Sequence, residues 1–218
     1  TAELVRIDSV NSDLVAGARG ESAIADFISQ WFSARGFEVH RLEKHAGRPS
    51  IVGIAKGSGG GRSLMLNGHI DTVSLGSYEG DGTAPEIRDG KMYGRGTFDM
   101  KGGLAAMMIA AERAKKQGIK GDVIVACVSD EEAGSIGTEE VLEKFTADGG
   151  LVVEPSYLQV TMAHRGFAWF EVTIHGLAAH GSRPDLAIDA IAHAGHFLVA
   201  LDAHAKALAS SPGDPLLG

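Results

Sequence analysis

The sequence predicts an α/β fold: a mainly parallel, mixed sheet flanked by helices, followed by the beginning of a smaller α+β domain. Three observations carry this. Short apolar runs at 64–68, 123–128 and 151–153 are continuous rather than alternating, the mark of strands buried on both faces. Segments with helical spacing of apolar residues lie between and around them. From His164 onward the texture changes to an alternating stretch and then one long helix, so the domains are drawn as 1–164 and 165–218.

Thr1-Ala2-Glu3-Leu4 is helix-like and charged, unlike a signal peptide. Glu21 to Arg35 reads as an amphipathic helix, because Ile24, Phe27, Ile28, Trp31 and Phe32 fall on one face and Gly36 follows as a left-handed cap. Phe37-Glu38-Val39 and Ser50 to Ala55 read as strands, and Gly57 to Gly61 as a flexible turn. Residues 76–98 have no sustained period and read as one long loop, of the kind that serves a site. Lys101 to Gln117 reads as a helix with Leu104, Met107, Met108 and Ala111 inward and Gly118 closing it. Asp122 to Ser129 is the strongest buried strand. Thr138 is placed as the cap of a helix over Glu139 to Phe145, and Leu151-Val152-Val153 as another buried strand. Beyond the boundary, Phe167 to Ile174 alternates like a half-exposed antiparallel strand, and Asp185 to Ala209 reads as a single helix.

Composition narrows the function. The 218 residues carry a net charge of −8, which argues against a partner held through nucleic-acid phosphates. Apolar runs are broken by glycine or charge, so no membrane span is expected. Cys127 is the single cysteine and cannot form an internal disulfide, which suits a reducing, cytoplasmic location; within its strand it reads as core. The glycines at 57–61 and 90 lack the spacing of a phosphate loop.

The chemistry is concentrated where the buried strands end. The run 64–68 leads into His69-Ile70-Asp71, the run 123–128 into Asp130-Glu131-Glu132, and the run 151–153 into Glu154. A glycine-rich turn before the 101–117 helix presents Asp99. In a parallel sheet these ends share one rim. Carboxylates gathered there repel one another unless a counter-charge is present, and a divalent cation bound by oxygen and imidazole is the natural one. His69 and Asp71, two apart, point the same way, so Asp71 can orient the ring; Glu131 and Glu132, adjacent, diverge, so one can bind metal while the other acts as a base. Gly94, Gly96, Gly102 and Gly103 bracket Asp99, which implies close backbone approach there. His193 and His196 share a helix face and read as surface residues; His40 and His45 receive no role.

The segments Asn67 to Val73, Tyr93 to Gly103, Asp130 to Ser135 and Val153 to Ser156 resemble the metallopeptidase M20 family. The likeness is to its acetylornithine deacetylase and succinyl-diaminopimelate desuccinylase branch. His164 to Phe167 and Gly176 to Pro184 resemble the family's passage into its lid. The resemblance implies a zinc-exopeptidase-like catalytic domain and a lid and dimerisation domain. It implies two divalent metals, zinc first with cobalt or manganese as alternatives, bridged by Asp99. His69 and Glu154 would complete one metal's ligands and Glu132 would bind the other. Glu131 would be the general base toward the bridging water, Asp71 would support His69, and His180 would steady the oxyanion in the partner subunit's site. The implied reaction is hydrolysis of an amide in an N-acyl amino acid or small peptide. Two departures stand out. Phe98 replaces the small residue or Cys or Ser that often precedes the bridging aspartate, a change read as packing. The family's last ligand histidine comes from a segment beyond residue 218, and no histidine follows His204. The expectation is therefore a chain that stops at Leu216-Leu217-Gly218 inside the lid, with a metal-binding but inactive member as the alternative.

Overall fold

A computed structural model describes residues 1–214 apart from 165 and 167, and the chain divides into two units, Thr1–Leu158 and Gln159–Gly218. In the first unit the elements are α1 (Ala2–Val5), α2 (Ser22–Ser33), β1 (Glu38–Leu42), β2 (Ser50–Ala55), β3 (Leu64–His69), β4 (Glu86–Arg88), β5 (Lys91–Tyr93), α3 (Lys101–Gln117), β6 (Val123–Val128), α4 (Ile136–Lys144) and β7 (Gly149–Val152). The second unit holds α5 (Ala190–Ala209).

The main sheet runs β1-β2-β6-β3-β7. It is mixed, as the sequence predicts: β3 pairs in parallel with β6 and β7, while β2 pairs antiparallel with β1 and β6. Side chains alternate across the sheet at a period of two. Ile51, Leu66, Val125 and Cys127 pack on one face with Ile24, Ile28 and Phe32 of α2 and Leu104, Met107, Met108 and Ala111 of α3. Val52, Ile54, Met65, Ile124, Ala126 and Val128 pack on the other with Val141 of α4. The result is three layers, with β6 buried at its centre; each fully buried Ile or Phe contributes about 1.5–3 kcal/mol.

Several elements differ from the sequence expectation. The 76–98 segment contains the hairpin β4–β5, turned by Asp89 and Gly90 at φ 51° and 73°, the two-residue signal that an aperiodic reading overlooks. Thr138 lies inside α4 rather than capping it. The helix starts earlier, at Ile136 with Ser135 before it, because Gly137 lets its first turn press against β6: a Cβ there would sit 2.5 Å from the Ser129 carbonyl oxygen. Strand β7 is not buried; among the described residues it is an edge strand paired with β3, and it leaves Leu151 and Val152 exposed. The helix expected from Asp185 begins instead at Ala190, because Asp189 caps it by accepting from the Ile191 and Ala192 N–H groups, after a short 3₁₀ turn over Pro184–Leu186. The strand expected from Phe167 begins outside the described residues, and 168–174 form no strand. Among the described residues of that unit the backbone pairing of strand type is a lone bridge, Leu177 to Ile188. Arg165 of the lid-like segment and the Leu216-Leu217-Gly218 end also lie outside the described residues. Among the described residues no helix is long and apolar enough to cross a membrane.

Candidate metal centre

Strand register brings the predicted residues together. His69 is level with Val128 across the parallel β3–β6 pair, so His69-Ile70-Asp71 and Ser129 to Glu132 leave the sheet side by side. The Ile70 N–H donates to the Val128 carbonyl and extends this contact past the strand end. On the other flank β7 runs parallel to β3, and the Val153 N–H donates to the Asn67 carbonyl, which delivers Glu154 to the same rim. Asp99 arrives on the turn before α3. That turn is pinned by buried Met100, whose Sδ accepts the His69 N–H, and by the Lys101 N–H bonded to the Gly96 carbonyl. Gly96 is required here: its φ is +77°, and a Cβ would meet Thr72 Cγ2 at 2.9 Å. Gly103 allows an equally close approach, 2.6 Å from such a Cβ to the Val153 carbonyl.

The His69 ring is the centre of the arrangement. Its Nδ1 lies 3.0 Å from the Asp71 carbonyl oxygen, which can only accept, so Nδ1 carries a proton and donates. The orienting atom is thus the Asp71 backbone; the Asp71 carboxylate stands 3.5 Å from the same nitrogen. Nε2 faces the acids, 2.9 Å from Asp99, and 3.8 Å each from Glu131 and Glu154. The Asp71 carboxylate has a second task, since its two oxygens accept the Glu131 and Glu132 N–H groups at 3.1 Å.

Electrostatics follow from this crowding. Burial acts to lower the His69 pKa, but Asp71 and Asp99 outweigh it and push the imidazole up to about 11. Burial, reinforced by Asp99, Glu131 and Glu132, pushes the Glu154 carboxyl up to about 7, against the pull of His69. Glu131 and Glu132 are raised for the same reasons, burial first. Asp99 is held below the usual carboxylate range by its bond to His69. Next to it, burial draws the Lys101 amine down to about 8; its Nζ donates to the Ile7 carbonyl and takes no part in the cluster. One imidazolium cannot balance these carboxylates, so the group is a site for added positive charge.

The donor set fits a divalent ion. Ligand atoms of His69, Glu131 and Glu154 lie within 4.8 Å of one another, as do those of His69, Asp99 and Glu132. Both sets draw on the same imidazole. A single Nε2 serves one ion, so among the described residues a second ion would have to rely on carboxylates. Beside the ligands a cleft of about 240 Å³ is lined by Val73, Tyr78, Arg95, Thr97, Phe98, Asp99 and Glu132. Phe98, read from sequence as a packing change, is in fact 63% exposed on the wall of this cleft, with its ring centroid 6.0 Å from that of Tyr157.

His180 belongs to the second unit, where it sits exposed in a turn with Nδ1 2.9 Å from Ser182 Oγ. His193 and His196 lie on exposed α5 with ring centroids 6.3 Å apart. Sequence reasoning missed the polar residues beneath the centre: Asn11, Glu21 and Arg48, all buried, and a role for Asp130. The contacts of Asn11 with Asp71 and Asp130 span 60 and 119 residues of chain, so no local pattern announces them.

Comparison with known proteins matches this architecture. The profile of peptidase family M20/M25/M40 matches residues 65–211. A succinyl-diaminopimelate desuccinylase of Parvibaculum lavamentivorans is 31% identical over 93% of this chain and 53% of its own length. An acetylornithine deacetylase of Vibrio vulnificus is 32% identical over 86% of this chain and 50% of its own. The chain therefore spans about half the length of the curated relatives it matches. Among solved structures, a tripeptidase of Staphylococcus aureus superposes with a TM-score of 0.63 at 23% identity, over 91% of this chain and 54% of that one. An aminopeptidase of Bacillus cereus gives 0.61 at 24%, over 97% and 55%. At this identity both speak for the fold.

Proposed function

The chain belongs to peptidase family M20/M25/M40, and on that premise we propose that it carries the catalytic half of a metal-dependent amidohydrolase acting on an N-acyl amino acid or small peptide. The observation that carries this reading is the convergence of His69, Asp99, Glu131, Glu132 and Glu154 into two overlapping donor sets on one rim. In this reading His69, Asp99 and Glu154 would hold one divalent ion, and Asp99 and Glu132 would hold the other. Zinc is the first choice, with cobalt or manganese as alternatives. When bound, such ions polarise a carbonyl and make water acidic enough to ionise near neutrality.

The protein's own residues do the rest. The Asp71 carbonyl keeps the proton on His69 Nδ1, so Nε2, once its own proton is displaced, is the atom that would ligate. Glu131, raised by burial and by its acidic neighbours, takes the proton of the attacking water and returns it to the leaving amine. The cleft between Val73, Tyr78 and Phe98 receives the substrate beside the ligands. Residues 165–218 belong to a lid and dimerisation domain, through which His180 steadies the oxyanion of a partner subunit, and the protein acts in the cytoplasm. The substrates of the relatives named above, acetylornithine and succinyl-diaminopimelate, set the class to try first.

The shared imidazole favours a second reading, in which the chain binds metal but does not turn substrate over. One experiment separates them: hydrolysis of N-acetyl and N-succinyl amino acids by the chain loaded with zinc or cobalt. Turnover that falls about 10²–10⁴-fold in Glu131→Gln, with metal content unchanged, supports the first reading. Stoichiometric metal without turnover supports the second, and no metal uptake removes both.

A further inference from the structure

Beneath the candidate centre lies a buried polar chain that the proposed chemistry does not use. Asn11 is fully buried. Its Nδ2 donates to the Asp71 carboxylate at 2.7 Å and to the Asp130 carboxylate at 3.0 Å, while its Oδ1 accepts the Asp13 N–H at 2.9 Å. The amide is therefore oriented without ambiguity, with both of its N–H groups committed to carboxylates. Arg48, also buried, continues the chain: its Nη2 donates to Asp130 and to buried Glu21, and its Nε lies 3.1 Å from Glu21. The Arg48 carbonyl accepts Ser129 Oγ, which ties the same residue to the end of β6.

The object being held is the turn after β6. Asp130 has φ +65°, a left-handed conformation that is costly for a non-glycine residue and persists where its surroundings impose it. This bend makes the Glu131 and Glu132 N–H groups face the Asp71 carboxylate together. A buried ion pair such as Arg48–Glu21 adds little net stability over apolar packing, so its worth lies in fixing geometry.

We infer that Asn11 and Arg48 are positioning residues of the metal centre. They hold the strained Asp130 turn against Asp71, so that the His69 side and the Glu131–Glu132 side of the cluster keep a fixed separation. The inference rests on the metal-binding reading above and deepens it. Neither residue touches metal or substrate; both act through Asp71 and Asp130.

The test uses the 218-residue chain with cobalt(II) as the probe. Affinity is measured by calorimetric titration, and ligand geometry by the visible d–d absorption of the bound ion. Asn11→Ala is expected to weaken cobalt binding about 10–100-fold and to shift the absorption band, while circular dichroism and a cooperative melt show a folded chain. Arg48→Lys keeps the charge beside Glu21 but not the fork, and is expected to shift the band in the same direction; it carries the test if Asn11→Ala fails to fold. Ser63→Ala, which removes a polar contact to Asp148 at the surface, should leave affinity and spectrum as in the parent. Unchanged affinity and an unchanged band in a folded Asn11→Ala or Arg48→Lys chain overturn the inference. A parent chain that takes up no cobalt overturns both the inference and the metal reading beneath it.

Discussion

The side chains of His69 and Asp71 have no exposure to solvent, whereas Asp99 and Glu154, which face the same imidazole, keep 55% and 38% of their side chains exposed. The inner pair stands at the end of β3, between β6 and β7, over the Asn11–Arg48 chain. The outer pair comes from a glycine-rich turn and from the end of the edge strand β7. The inner half is thus fixed by folding, because leaving a buried carboxylate or imidazole unpaired is costly. The outer carboxylates, though their backbone is held, keep much of their side chains in solvent, so folding needs their partners less. A centre built this way is enclosed on one side and open on the side that faces the cleft.

Breaking the inner half should give the largest effect. Asp71→Ala strips partners from Asn11 Nδ2 and from the Glu131 and Glu132 N–H groups at once. The expected loss is about 3–5 kcal/mol of stability in the metal-free chain, read from the urea midpoint at constant slope. A loss under about 1 kcal/mol would mean that the inner half is not set by folding. Asp99→Asn, made on the outer half, should leave the metal-free midpoint within about 1 kcal/mol of the parent and act on metal affinity instead. If it destabilises the metal-free chain as much as Asp71→Ala does, the contrast between the two halves fails.

The sharing of His69 sharpens the comparison further. Two ions cannot both use Nε2, so titration with zinc should resolve unequal sites, the first at least tenfold tighter than the second. Removing the Glu154 carboxylate by Glu154→Gln should weaken the first site about tenfold and leave the second nearly unchanged. Equal affinities for the two equivalents would show that the ligands are not divided as proposed.

What the sequence revealed follows the same division. The convergence of the rim residues was legible because each follows a continuous apolar strand or a glycine turn, and a parallel sheet must bring those ends to one edge. The core was legible through periodicity, as with Ile24, Ile28 and Phe32 on α2. Three kinds of feature were hidden. The support beneath the centre depends on contacts such as Asn11 to Asp130, which exist only once the sheet has formed. Burial of an edge strand depends on what lies beside it rather than on its own residues: Leu151 and Val152 are as apolar as Val125 and Ala126, yet they are exposed. The alternating stretch is a third such case, since 168–174 alternate in sequence yet form no strand.

The smallest effect is expected at Phe98, and it marks where the outer half ends. The ring is mostly exposed, and its recorded ring partner, Tyr157, is 85% exposed itself. An aromatic pair adds about 0.5–1.5 kcal/mol where it is buried, and solvent on both rings removes most of that. Phe98→Ala should therefore move the unfolding midpoint by no more than about 0.5 kcal/mol, although Asp99, its neighbour in sequence, is a proposed ligand. The measurement is a urea titration of the metal-free chain beside the parent. A loss above about 2 kcal/mol would place Phe98 in the folded core and extend the enclosed half out to the cleft wall. The expected near-neutrality leaves Phe98 as part of the open side, free to vary with whatever the cleft accepts.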